Sequence, residues 1–375
     1  MDHSISNRKI EHIDIVLKEN VDYNGWCKTI YESIKLIHQA LPGINYKEID
    51  LSTNFLKYSL NAPIIITGIT GGHVDTIKIN EQLAKLVSKH RLAIGVGSQR
   101  PLINNRDDKI IESYRVVRKY VKDLPVIGNI GYSTLSKLSV KDIESIIKTI
   151  EADALAIHLN PGQEIIQPEG DTDFGYNTLV FIEELLDYLD IPIIIKEVGT
   201  GLSRETVSKL YSIGIRFFDV AGACGTNWIM VEKHRCRENV IKQKVADYLK
   251  DWGIPTPLSV IETRIEAPDS YIIASGGVWN GLQAVKNLVL GANIVGLAKP
   301  VLKKLLIEGF EAVDKYIEEY VETMKTIMFL IGANNVQSLA EKPVVLLEPV
   351  STYLEQRGID VKQYIERIRS RKWIQ

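Results

Sequence analysis

The chain is poor in cysteine and in net charge, and each shortage removes a class of function. Its three cysteines, Cys27, Cys224 and Cys236, are an odd number with no C-x-x-C spacing, too far from the histidines for a zinc framework. A reducing compartment fits that set of cysteines. Lys and Arg (45) nearly cancel Asp and Glu (47), and no block of one sign occurs, which invites neither a nucleic-acid nor a polybasic membrane reading. Any anionic ligand must therefore be met by a local cluster. An apolar leader is missing behind Met1-Asp2-His3-Ser4, as is any apolar run of membrane-spanning length, so the expectation is a soluble, cytoplasmic protein without nucleic-acid or membrane partners. No Ser/Gly-rich linker, low-complexity tract or repeat marks a second domain.

What is present is an alternation of short β-branched runs, each ending in Gly or a polar residue, with amphipathic stretches. That pattern predicts parallel strands joined by helical crossovers. The strand candidates are Pro63 to Thr67, Leu92 to Val96, Pro125 to Asn129, Ala154 to Asn160, Ile191 to Val198, Arg216 to Val220, Tyr271 to Ser275 and Ile294 to Ala298. Ser139 with Asp142, and Ser203 with Gly214, mark helix ends. Eight such units in succession, with no G-x-G-x-x-G after the first strand, predict a (β/α)8 TIM barrel in the α/β class rather than a doubly wound sheet. Residues 1–60 read as an N-terminal extension, 61–303 as the barrel and 304–375 as C-terminal helices. The stretch from Thr226 to Pro268 breaks the rhythm and should help to cover a barrel mouth.

A barrel of this kind carries its chemistry at the carboxyl ends of the strands. Thr67, Thr70, Ser98, Gln99, Arg100, Asn129, His158, Asn160, Lys196, Glu197 and Thr226 all fall there. Taken singly, each is as well explained as a hydrogen-bonded loop residue; their convergence argues for a site. His158 and Asn160, two apart on a strand, should enter the mouth together if Ile157 and Leu159 pack against helices. Glu164 could be a solvated loop acid or, beside a diphosphate, the single carboxylate that a water-rich Mg2+ prefers. Gly276-Gly277 and Ala298-Lys299 occupy the positions where barrels hold a phosphate on backbone N–H groups. Lys196 inside a strand needs an anionic partner, which a cofactor or Asp219 would supply. Arg8, Lys9 and His12 form a small cationic group whose default reading is a solvated surface. Cys224 has no histidine near it in sequence and is a poor nucleophile candidate.

Several segments together resemble type 2 isopentenyl-diphosphate isomerases, in archaeal style. They are Asn7-Arg8-Lys9 with His12, Thr67-Gly68-Ile69-Thr70-Gly71-Gly72, Gly95-Val96-Gly97-Ser98-Gln99-Arg100, His158-Leu159-Asn160-Pro161-Gly162-Gln163-Glu164 with Gln167-Pro168-Glu169-Gly170-Asp171, Gly225-Thr226-Asn227-Trp228 and Ser275-Gly276-Gly277. The resemblance implies FMN held by Thr67, Gly68, Ile69, Thr70, Ser98, Asn129, Lys196 and Thr226, with its phosphate at Gly276, Gly277, Ala298 and Lys299. It implies a substrate diphosphate met by Arg8, Lys9, Ser98, Gln99, Arg100, His158, Asn160 and Gln163, with Gln163, Lys196 and His158 as catalytic groups and Mg2+ on Glu164. It further implies NADPH as reductant of the flavin, and a tetramer or octamer in which the N-terminal cations complete a neighbour's site. Ala221, Cys224, Trp279 and Lys299 depart from the family pattern, which has serine, glycine, arginine and an apolar residue at those places.

Shifting a double bond between isopentenyl and dimethylallyl diphosphate requires protonating an unactivated alkene, for which ordinary side-chain acids are poorly matched. The resemblance therefore implies reduced FMN as the acid-base group, with Lys196 stabilising charge on it. Two rival readings share the barrel. An FMN-dependent oxidoreductase of the 2-hydroxy-acid oxidase kind would need a His and a nearby Arg around the seventh strand, yet Gly253 to Gly277 holds Arg264 and no histidine. A silent flavin- or phosphate-binding barrel would bind without turnover.

Overall fold

The structure, a computed structural model, describes residues 2–23, 25–104 and 107–369, with side chains from residue 8 onward apart from 104. Met1 and the end of the expected tail, 370–375, lie outside the described residues. Eight parallel strands close into a barrel: β1 (Ile64–Ile66), β2 (Ala93–Gly95), β3 (Val126–Gly131), β4 (Ala154–His158), β5 (Ile193–Lys196), β6 (Phe217–Asp219), β7 (Tyr271–Ala274) and β8 (Ile294–Leu297). They follow the chain order round the ring, and β8 pairs back onto β1. All except β3 fall within the expected segments and end sooner, β4 at His158 and β5 at Lys196, because the residues beyond turn into the loops that follow.

Strands covered on both faces are continuous apolar runs, and Ile64, Ile66, Ile157, Ile195 and Phe218 are fully buried. Each such side chain contributes about 1.5–3 kcal/mol by leaving water. Ser139 and Asp142 form a reciprocal capping box on helix Val140–Ile150, and Ser203 caps Arg204–Ser212, beyond which Gly214 takes φ 105°.

The additions wrap both ends of the barrel. At the amino end, a hairpin of Thr53–Phe55 and Tyr58–Leu60 sets Phe55 against Tyr271, their ring centroids 5.1 Å apart. At the carboxyl end lie α1 (Asp2–Lys18) and α2 (Trp26–Ser33) of the extension, α3 (Pro161–Ile166) after β4, and α4 (Trp228–Arg235) from the stretch after β6. Ile15, Val16 and Val21 pack with Val231, which fixes α1 across the mouth on α4. The helix after β8, α5 (Lys299–Glu308), runs across the boundary expected at 303. The tail is not wholly helical, since Val344–Leu346 pairs antiparallel with Ile34–Leu36.

One reading of the cysteines is corrected. Cys27 in α2 and Cys224 in the loop after β6 form a disulfide, with Cα atoms 5.3 Å apart, while Cys236 is free and buried. The partners stand 197 residues apart, and only the folding of the extension over the mouth brings them together. No helix among the described residues is long and apolar enough to cross a membrane.

Candidate active site

The carboxyl ends of β3 to β6 present one rung of paired residues: Gly131 beside His158, His158 beside Lys196, and Lys196 beside Asp219. Ile157 and Leu159 do pack among the helices, so His158 faces the mouth, while Asn160 enters it as the residue preceding α3 rather than from a strand. Asn129 Nδ2 donates to the carbonyl of Val96 at 3.1 Å, which leaves Asn129 Oδ1 to accept from His158 Nδ1 at 2.7 Å. Lys196 Nζ donates to the carbonyl of Glu197 at 2.6 Å and stands 3.9 Å from Asp219 Oδ2. Ser275 donates to the other Asp219 oxygen at 2.5 Å. Burial raises the Asp219 carboxyl above its ordinary range despite the opposing pull of Lys196 and Ser275. Glu197 does not face the mouth; it accepts from the backbone N–H groups of Val198, Gly199 and Thr200 and so shapes the loop after β5.

Across the mouth stands a cationic wall. Arg8, Lys9 and His12 of α1 line the pocket together with Ser98, Arg100, His158 and Asn160. The chain's own α1 thus supplies these cations to its own pocket. Burial, reinforced by Arg8 and Arg100, pulls the Lys9 ammonium down to about 7. Burial and then Lys196, Lys9, Arg8 and Arg100 pull His158 down to about 3, which keeps its imidazole neutral in the protein's own field. Gln99 departs from expectation. It is fully buried outside the pocket lining, donating to the carbonyl of Ile146 at 3.0 Å and accepting from Asn129 N at 3.0 Å, so it braces β3 instead of meeting a ligand.

Asn160 and α3 form the third wall. Asn160 Nδ2 donates to Glu164 Oε1 at 2.9 Å, and the N–H of Asp171 donates to Glu164 Oε2 at 2.7 Å. Gln163 Nε2 donates to Glu232 Oε1 at 2.8 Å. Sequence reasoning missed Glu232, an acid in α4 that is fully buried, held also by His12 at 2.8 Å and by Arg235 at 2.7 Å. Burial opposes its ionisation, but His12, Arg235 and Gln163 outweigh that and hold the carboxyl below its ordinary range. The only local hint was an acid following the run Ile229-Met230-Val231. Arg8 Nε, Thr70 Oγ1 and Asn160 Oδ1 are buried without a hydrogen-bond partner among the described residues, and all three residues line the pocket.

The far end is built for an anion. Gly276 and Gly277 take φ 88° and 73° in succession, a left-handed turn that directs neighbouring N–H groups to one side. A Cβ on Gly225 would come within 2.6 Å of Gly277 N, so the loops can pack only without side chains. Ala298 and Lys299 bring the N-terminus of α5 to the same place, and Lys299 Nζ meets Asp22 Oδ2 at 2.7 Å. Thr67, Gly68, Ile69, Asn129, Lys196 and Thr226 line the space between this end and the cationic wall, as do Ala221 and Trp279. Apart from Gln99 and Glu197, every site residue expected from the sequence lines this one pocket. The arrangement can grip a flat, anionic ring system with a phosphate at one end and a second, polyanionic molecule at the other.

The model of the FMN-dependent dehydrogenase family matches residues 163–346. The isopentenyl-diphosphate delta-isomerase of Sulfurisphaera tokodaii is 41% identical, covering 98% of this chain and 99% of its own. Those of Metallosphaera sedula and Methanosarcina mazei are each 40% identical, covering 96% of this chain and 98% of theirs. Among solved structures, a mandelate oxidase variant with a monooxide FMN adduct superposes with a TM-score of 0.62 at 14% identity, covering 89% of this chain and 95% of its own. A flavocytochrome b2 variant with sulfite bound gives 0.63 at 18% identity, covering 96% and 88%. Those two likenesses show the fold alone. Arg264 donates to the carbonyls of Pro268 at 2.9 Å, Ser270 at 2.8 Å and Gly291 at 3.0 Å, outside the pocket lining, so it cannot clamp a carboxylate there.

Proposed function

Because this chain belongs to the isopentenyl-diphosphate delta-isomerase family, we infer that it interconverts isopentenyl and dimethylallyl diphosphate with the help of reduced FMN. The observation that carries the reading is that Lys196, the Gly276-Gly277 turn, the cationic wall of α1 and Gln163, which Glu232 holds from behind, all converge on one pocket. The residues present fit FMN. The orphaned Thr70 hydroxyl, the Lys196 ammonium and the surfaces of Gly68 and Asn129 suit a polar ring, and the glycine turn with Lys299 suits its phosphate. Mg2+ fits as well, because Glu164 and the unpartnered Asn160 Oδ1 offer adjacent hard oxygen atoms beside the diphosphate wall.

Bound and reduced, FMN supplies an acid-base group matched to an alkene carbon. The chain's own residues do the rest. Arg8, Lys9, Arg100 and His158 neutralise and orient the diphosphate; in the field of that anion His158 gains a proton, and Nε2–H becomes a donor. Gln163, fixed on Glu232, presents its amide where the hydrocarbon end must lie. Lys196 holds positive charge beneath the ring site, with Asp219 and Ser275 fixing its position. α1 across the mouth excludes water from a carbocation-like transition state. NADPH serves only to prepare the flavin, the cell compartment is the cytoplasm, and a tetramer or octamer is the assembly.

The test is an anaerobic mixture of purified protein, reduced FMN, Mg2+ and isopentenyl diphosphate. Dimethylallyl diphosphate should accumulate with no stoichiometric consumption of NADPH. No product would reject the function, and steady consumption of NADPH or oxygen would favour an oxidoreductase.

A further inference from the structure

The segment joining α1 to α2 is stitched to the back of the turn that receives the flavin phosphate. Asn227 N donates to the carbonyl of Val21 at 2.7 Å, Tyr23 N donates to that of Gly225 at 3.0 Å, and Asp22 pairs with Thr226 in an antiparallel bridge. Asp22 also holds Lys299 at 2.7 Å. The disulfide lies a few residues along the same segment, joining Cys27 to Cys224. Cys224 stands directly against the phosphate turn, for a Cβ on Gly277 would collide with the Cys224 main chain. The other end of the segment is α1, which bears Arg8, Lys9 and His12 into the pocket.

These ties are unequal. A flavin phosphate on the Gly276-Gly277 turn draws on the same Lys299 ammonium that Asp22 holds, so loading the site loosens the ionic tie. The remaining hydrogen bonds are of a strength that local opening breaks, each contributing about 1 kcal/mol. Only the covalent bond is indifferent to the cofactor.

We propose that the Cys27–Cys224 disulfide is a redox latch on flavin retention, pinning the N-terminal segment over the phosphate turn when oxidised and letting it open when reduced. The proposal rests on the flavin reading of the pocket. Reduction is a two-electron exchange with a dithiol. A reagent thiolate attacks Sγ of Cys27, the more exposed residue of the pair at 9% against 2% for Cys224. The S–S bond breaks and Cys224 leaves as a thiolate, which takes a proton. The second reagent thiolate then releases Cys27, which takes another proton, and the reagent becomes a cyclic disulfide. A low-molecular-weight disulfide restores the bond by the reverse exchange.

The experiment uses the full chain loaded with FMN. Intact mass after alkylation in denaturant, with and without prior dithiothreitol, counts the thiols. Flavin release is followed by the rise in free-FMN fluorescence after dilution. FMN should leave on the order of tenfold faster from the reduced protein, as expected when a cross-link no longer restricts the opened state. Cys27→Ser and Cys224→Ala should release it at the fast rate whether or not dithiothreitol is present. Equal release rates from oxidised and reduced protein, even with a lowered melting temperature, would make the bond a structural staple and overturn the latch, as would two thiols that resist oxidation in the folded chain. Failure of both forms to bind FMN at all is a separate readout; it would refute the flavin reading and the latch with it.

Discussion

Lys9 offers the sharpest test of the cationic wall. Its ammonium is pulled from 10.5 to about 7 by burial and by Arg8 and Arg100. At pH 8 roughly a tenth of the molecules then carry that proton, whereas at pH 6 nearly all do. A diphosphate in the same wall supplies the missing opposite charge and restores Lys9 towards its ordinary range. Through Lys9, binding should therefore take up about 0.9 proton at pH 8, about half a proton at pH 7 and almost none at pH 6, in addition to the proton that His158 gains. The sign follows: a group whose bound pKa exceeds its pKa in the protein alone gives its full contribution below pH 7 and loses it above. The Lys9 contribution to affinity for isopentenyl diphosphate should fall about tenfold per pH unit above 7, or about 1.4 kcal/mol per unit, until the raised pKa is reached. Titration calorimetry in buffers of different ionisation enthalpy measures the uptake. Lys9→Arg carries a permanent charge and isolates Lys9 from His158 and from the ligand's own ionisation. Identical proton uptake at pH 8 in wild type and Lys9→Arg would refute the reasoning.

Gln163→Ala should lower kcat by about 100-fold or more with an unchanged circular dichroism spectrum, since the proposed site sets its amide at the reacting carbons. Glu232→Ala should mimic it, and Glu232→Gln, which still accepts from Gln163, should recover part of the loss in the same steady-state assay. Glu164→Gln should raise the Mg2+ concentration needed for half-maximal rate while leaving flavin affinity unchanged. Lys196→Met leaves Asp219 buried without its partner at 3.9 Å, and denaturant titration of that variant should show a loss of about 3 kcal/mol along with weakened FMN binding. Arg264→Met should lower stability by a similar amount while preserving turnover, because the guanidinium serves main-chain and Asn293 acceptors at the base of the barrel, outside the pocket lining.

The barrel was legible because each strand is a compact apolar run and crossovers such as Val140–Ile150 and Arg204–Ser212 carry their own caps, all of it encoded within a few neighbouring residues. The strand-end rule then located His158, Lys196, Asn129 and the Gly276-Gly277 turn. It misplaced Gln99, because position along the chain does not say whether an amide at a strand end turns into the mouth or back into the wall. Glu232, Asp22 and the pairing of Cys27 with Cys224 were invisible for a different reason. Each depends on the extension meeting the stretch after β6 some two hundred residues later, as in the 220-residue separation between His12 and Glu232. The default reading of Arg8 and Lys9 as surface charges failed likewise, since nothing in the segment itself reports the mouth above which it lies.

The rung formed by Gly131, His158, Lys196 and Asp219 separates what the protein is from what it does. Its main-chain ladder carries the scaffold, and its side chains hang past the last rows of hydrogen bonds, so reagents can be exchanged at the rim without reopening the framework. The same cylinder can thus host oxidation in one lineage and alkene migration in another, and a library randomised only at those tips should yield new chemistries while most of its members still fold.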